Sequence, residues 1–350
     1  MIVPLLLCAC TQGASTPSVK SSGVLPTAAT PSSAKPETTT AQPGTSASVE
    51  KQTYQMGPFD LPAGMTTEGM REKPAKMTFK VDEPMWITAF EPKLEDANGE
   101  AVPGELLHFA FLGNRNEENP LCQKKETANP FVAATSALKK IVFPTGYGYA
   151  VLPSDTLEAS VVLHNPTMDA YHDVYFTFKI VGVPMEKGGE IKDLQPLLLD
   201  ADPCQHLPLA VEPGGYLKRS ERFGVPSDGS LIAAYGLLQD YGIEITLAKE
   251  TEAAPFWKAA ASINAEHQVV SLPTFEDLEG IPFQAGDGVV LTVAYQNFSE
   301  DWFHDATTAA MVYLDREQQT TATSATAKPY ANTKASATSV DVQTTLLGTL

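Results

Sequence analysis

Positive charge is scarce in this chain: 24 lysines and arginines stand against 42 aspartates and glutamates, a net charge of −18 over 350 residues. Neutralising phosphates needs clustered cations, and no such cluster is present, so nucleic acid is excluded as a partner. An acidic surface suits solubility or the attraction of cations, but it names no partner. Cysteine is equally sparse, with four in all. None has a CxxC or Cys/His spacing, so a structural zinc is not expected. Three enzyme templates are also missing: the Gly-x-Ser-x-Gly elbow, the phosphate-binding glycine loop and His-Glu-x-x-His. Helix signals are few, and Phe256 to Ile263, with its Ala259-Ala260-Ala261 run, is the one stretch that reads as helical.

What the chain does have is a body of short apolar runs between two polar ends. Hydrophobic residues make up 43% of the composition, enough for sizeable cores, and the length suits two domains. From about Gln52 to Arg316 the pattern is all-β. Met77, Phe79 and Val81 alternate with polar neighbours, and short runs such as Met85 to Phe90, Leu106 to Leu112 and Ala309 to Leu314 follow. Turn clusters such as Asp96-Ala97-Asn98-Gly99 and Ala285-Gly286-Asp287-Gly288 punctuate them. The first of these has a superficial likeness to a calcium loop but is too short for one and reads as a hairpin turn. Two tandem jelly-roll sandwiches are the expected architecture, over residues 52–195 and 196–316.

A long-range repeat supports two copies. Asp155, Asn165, Asp169, His172 and Asp173 recur 132 residues further on as Asp287, Asn297, Asp301, His304 and Asp305. A spacing this large exceeds a solenoid period and indicates a duplicated domain. The two Asp-x-x-His-Asp segments are read as turn structure, not as metal ligands, because both copies keep them. His164 in the first copy is replaced by Gln296 in the second.

The ends suggest export. Leu7-Cys8-Ala9-Cys10 resembles a bacterial lipobox, with Cys10 as the lipidated residue. No basic segment precedes it and its apolar run is too short to span a bilayer, so residues 1–10 are expected to be either a truncated signal with the start upstream or a spurious likeness, and the truncated signal is the reading taken. Residues 11–51 are rich in Ser, Thr and Pro and read as a disordered tether, and residues 317–350 as a disordered tail. The expected location is the bacterial cell envelope, at the outer membrane or facing the periplasm. Cys122 and Cys204 would there form one disulfide, contributing at most about 4–5 kcal/mol by chain entropy, or remain two buried thiols.

Four segments carry a family resemblance. Glu105-Leu106-Leu107-His108-Phe109 resembles the His-His strand of the copper type II, ascorbate-dependent monooxygenases, the peptidylglycine and dopamine hydroxylase superfamily. Phe143 to Tyr149, followed by Val161-Val162-Leu163-His164-Asn165, resembles their Pro-x-Gly-Tyr-Gly-Tyr turn and the His-bearing strand after it. Leu231 to Gly242 resembles the second-domain strand with a His-x-His pair, and Asp305 to Leu314 the last strand, which carries a Met ligand. The resemblance implies two jelly rolls with one copper each: a three-His site passing an electron, and a two-His, one-Met site activating oxygen. Imidazole and thioether suit copper cycling, so losing them removes the reaction itself.

This chain departs from that pattern. His108 alone remains of the adjacent pair, and His164 stands where the third ligand would be. The His-x-His positions read Leu237-Leu238-Gln239, and Thr307 stands for the Met, with Met311 further along the strand. The reading is therefore a protein that has lost catalysis, carries no catalytic residues or cofactor, and binds an unknown protein or small molecule. The alternative is residual copper binding by His108 and His164. An active monooxygenase stands last.

Overall fold

The computed structural model describes residues 49–122, 128–201 and 208–315. Cys10, Cys204, His206 and both terminal segments lie outside the described residues. All the described strands belong to one compact unit that begins at Ala47.

The chain runs through β1 (Glu50–Leu61), α1 (Glu68–Glu72), β2 (Ala75–Phe79), β3 (Met85–Glu95), β4 (Leu107–Asn114) and β5 (Asn129–Ala134). It continues through β6 (Ile141–Val142), β7 (Tyr147–Val151), β8 (Leu157–Leu163), β9 (Tyr171–Pro184) and β10 (Lys192–Asp200). Then come β11 (Leu209–Val211), β12 (Tyr216–Gly224), β13 (Gly229–Gly236), β14 (Gly242–Lys249), β15 (Trp257–Ala260) and β16 (Ser262–Ile263). The last are β17 (Val269–Ser271), β18 (Phe275–Phe283), β19 (Gly288–Gln296), β20 (Phe303–Ala306) and β21 (Ala309–Asp315).

The first sandwich has sheets β1-β9-β3-β7 and β2-β8-β4-β5, the two-residue β6 adding to β3. The second has β10-β21-β13-β18 and β12-β19-β14-β15, with β11 and β20 as a separate ribbon. Leaving aside β6 and the two-stranded ribbons β11-β20 and β16-β17, both sandwiches have the same order: first, eighth, third and sixth strands face second, seventh, fourth and fifth. That is the jelly roll, twice over. The sequence repeat and the topology repeat are one event.

The two sandwiches are not merely in tandem. β10 pairs in parallel with β7 through Lys192 and Asp193, so the outer sheet runs on from the first sandwich into the second. This junction also explains an all-buried strand. Ala309, Met311 and Tyr313 of β21 pack into the first core, while Ala310, Val312 and Leu314 pack into the second. Successive side chains point to opposite faces of a strand, so a run without alternation means apolar surface on both sides. β10 does likewise, with Leu194 and Leu198 in the first core and Leu197 and Leu199 in the second.

Tyrosines seal the seam. β5 ends the first sandwich's inner sheet, and its outward backbone groups need partners. The Tyr235 hydroxyl donates to Ala133 O at 3.0 Å and accepts from Ala133 N at 3.1 Å. Tyr313 donates to Phe131 O at 3.0 Å. All of these atoms are buried, and burial pushes both phenols up from their ordinary ionisation range.

The repeated asparagines close equivalent corners. Asn165 Nδ2 reaches the carbonyls of Leu61, Pro62 and Asp169, and its Oδ1 accepts from the backbone and hydroxyl of Thr167. Asn297 does the same with Val211, Glu212 and Asp301, and with Ser299. Asp155 and Asp287 also match, each accepting a backbone N–H from three residues earlier, at Leu152 and Gln284. The repeated residues are thus mostly turn structure. Asp169 and Asp301 take part through their backbone carbonyls.

One expectation is overturned. Phe256 to Ile263 is not helical; it forms β15 and β16. Trp257 and Ala259 are buried while Lys258 and Ala260 are exposed, a two-residue period that outweighs the helix propensity of the alanines. Asp96 forms the expected hairpin turn, its Oδ1 accepting from the backbones of Asn98 and Glu100.

Candidate functional site

β4 carries His108, and His164 follows β8, its antiparallel neighbour, so sheet pairing alone brings the two together. The ring centroids are 5.4 Å apart at 64°. His164 Nε2 lies 2.6 Å from Glu105 O, and a carbonyl can only accept, so this nitrogen carries the proton. Its Nδ1 is then the ring's lone-pair nitrogen. His108 is buried, and its Nδ1 has no hydrogen-bond partner. Burial, the neighbouring imidazole and the Arg71 guanidinium together hold His108 well below the usual histidine range, and His164 is lowered chiefly by burial. Both rings are therefore neutral near pH 7.

Two further residues complete the cluster: Asp305, read in the sequence as turn structure, and Arg71, which the sequence did not mark. Asp305 of β20 comes in from the second sandwich, and one ligand atom from each of His108, His164 and Asp305 lies within 4.8 Å of the others. Arg71 of α1 forms an ion pair with Asp305, and Thr67 Oγ1 donates to the same carboxylate oxygen at 2.9 Å. Asp305 belongs to the repeated set, and its counterpart Asp173 sits at φ 51° beside a histidine, His172, whose partner is the exposed Asp60. Repetition marks a turn in the first copy; only the packing of two sandwiches makes the second copy part of a site. Arg71 lies on a five-residue helix with no buried residues, so no periodicity marks it.

A cavity of about 80 Å³ opens beside the cluster, lined from both sandwiches by Arg71, His108, Phe109, Phe111, Val162 and Thr308, among others. By the same measure a water needs roughly 10–15 Å³, so the space suits a few waters or a small ligand. The buried hydroxyl of Thr308, like His108 Nδ1, has no hydrogen-bond partner. Unmet polar atoms in a cavity wall are where a ligand or an ion makes contact.

The positions that the resemblance would give to a second copper are otherwise occupied. Leu237 packs in the first core and Leu238 in the second. Gln239 Nε2 donates to His108 O at 2.9 Å, bracing one sandwich against the other. The Thr307 hydroxyl donates to Leu237 O, and Met311 is fully buried in the first core. A redox pair of coppers does not fit these residues. The first site offers two imidazoles with a guanidinium beside them, and the second offers neither imidazole nor an accessible thioether.

The remaining marked residues lie elsewhere. His304 stacks on exposed Trp302 at 6.0 Å, away from the ligand atoms of the cluster. Cys122 is buried and disulfide-bonded. Among the described residues, no helix is long and apolar enough to cross a membrane.

No family model and no curated protein matches this chain. Solved structures do. One, from Sulfolobus turreted icosahedral virus, is 8% identical at a TM-score of 0.33, covering 76% of this chain and 90% of its own. Another, a peptide-N(4)-(N-acetyl-β-D-glucosaminyl)asparagine amidase, is 11% identical at 0.34, covering 75% and 96%. Likenesses this weak leave the activity of this chain undetermined.

Proposed function

We propose that this chain is an exported, lipid-anchored envelope protein that resembles the copper monooxygenases in its twin jelly rolls, has lost their catalysis, and binds a ligand at the seam. The observation that carries the reading is the fate of Leu237-Leu238-Gln239. Two of the three positions are core, and the third is committed to a hydrogen bond across the seam. Oxygen activation needs a metal with open positions on soft or imidazole donors, and these side chains supply none. With copper and ascorbate added, the purified protein is expected to consume no oxygen beyond the protein-free control with the same copper and ascorbate. Sustained protein-dependent consumption above that control would reject the reading.

Residual copper binding is the second reading, favoured by the unpartnered Nδ1 of His108 beside a ring whose other nitrogen is already anchored. Anaerobic Cu(I) titration separates it, since equal uptake by the wild type and by the double variant His108→Ala/His164→Ala eliminates it. Anchoring rests on Cys10 after Leu-x-Ala and on the Ser/Thr/Pro-rich tether that follows. A palmitate analogue should label the full gene product and not Cys10→Ala; unchanged labelling rejects Cys10 as the anchor.

A further inference from the structure

The cluster at the seam has the donor set of a hard-to-borderline divalent ion, with a protein cation standing against it. Imidazole nitrogens from His108 and His164 and a carboxylate oxygen from Asp305 are zinc-type ligands. They differ from a copper electron-transfer set, because the third donor is an oxygen and comes from the other sandwich. Three features of a prepared site are present. The His108 Nδ1 is buried without a partner. His164 is oriented by its Nε2–H on the Glu105 carbonyl, the outer-shell arrangement that fixes a ligating ring. Thr67 orients the carboxylate from behind.

One contact opposes an ion. The guanidinium of Arg71 pairs with Asp305. A single carboxylate beside two neutral rings carries one negative charge. Arg71 already neutralises it, so an ion of charge +2 gains little while the guanidinium stays. Arg71 also lines the cavity through which an ion would arrive, and its side chain is partly exposed, so it can turn out to water.

We propose that His108, His164 and Asp305 form a divalent-cation site of the zinc type that Arg71 holds closed, the guanidinium and the ion competing for one carboxylate. This rests on the seam being a ligand site, as proposed above, but it does not depend on whether oxygen chemistry survives. Donor atoms sharing one tetrahedral ion at bonds of about 2 Å lie about 3.3 Å apart, so closing the set from within 4.8 Å needs a shift of up to about 1.5 Å. Ion entry therefore frees Arg71, and with it a side-chain link from α1 to β20.

The test is Zn(II) titration of the full chain against a chromophoric chelator, with metal content measured after gel filtration. Arg71→Met, which keeps much of the stem, is expected to bind one equivalent at least tenfold more tightly than wild type. Adding Asp305→Asn or His108→Ala to that variant should abolish the gain. Arg71→Lys, shorter but still charged, should fall between and serves if Arg71→Met does not fold. Equal affinity in wild type and both Arg71 variants overturns the competition. Absence of stoichiometric zinc in every variant overturns the site, whatever the oxygen trace shows.

Discussion

Replacing Asn165 with alanine should lower unfolding stability by about 3–5 kcal/mol, and Asn297→Ala by a similar amount. Each amide is fully buried and makes five hydrogen bonds, three of them from Nδ2 to backbone carbonyls of neighbouring segments. Removing the side chain takes a donor from all three carbonyls. Pro62 and Glu212 keep the N–H of Met65 and Gly215, and Asp169 and Asp301 the hydroxyls of Thr167 and Ser299. The amide's own buried pairings are lost, and each unmet buried group costs about 1–3 kcal/mol. Aspartate should be worse than alanine, since it turns the Nδ2 donor into an oxygen facing three acceptors. Urea unfolding with a single global probe measures both. A loss below about 1 kcal/mol in either copy would mean that water replaces the amide and that the corner is not what the repeat preserves.

The seam gives the second large effect. Tyr235→Phe keeps the ring in the core but strips the hydroxyl that serves both the N–H and the C=O of Ala133 on the edge of β5. A loss of about 2–4 kcal/mol is expected, against about 1–2 kcal/mol for Tyr313→Phe, which orphans a single carbonyl at Phe131. The two hydroxyls lie 3.3 Å apart, so the double variant should lose less than the sum. Because β10 and β21 serve both cores, the unfolding transition should stay single in each variant. Two separated transitions in wild type would show that the sandwiches are independent and that the seam tyrosines do not join them.

Much of the fold was legible in the sequence because its signals are local. Alternating residues and Gly- or Asp-bearing turns mark strands without reference to distant contacts, as in the hairpin at Asp96. The spacing between Asn165 and Asn297 marked a duplication, since the same corner needs the same amide in each copy. The segment around Trp257 failed the same kind of reading. Its alanines favour a helix locally, but Trp257 and Ala259 gain more by facing the second core on a strand. The site was half legible. His108 and His164 could be picked out as a pair, but Asp305 looked like a turn residue and Arg71 like an ordinary surface cation.

Sequence by itself determined that this chain builds two β-sandwiches from one duplicated plan and that it is acidic. These follow from side-chain chemistry and short-range periodicity, which are written residue by residue. Tertiary structure alone decided that the sandwiches share a sheet and that Asp305 and Arg71 meet the two histidines. It also decided that Gln239 spends its amide on the seam. Those contacts join residues up to 238 positions apart, as Thr67 is joined to Asp305. No local pattern encodes them; they arise only when two faces, each apolar for its own reasons, are buried against one another.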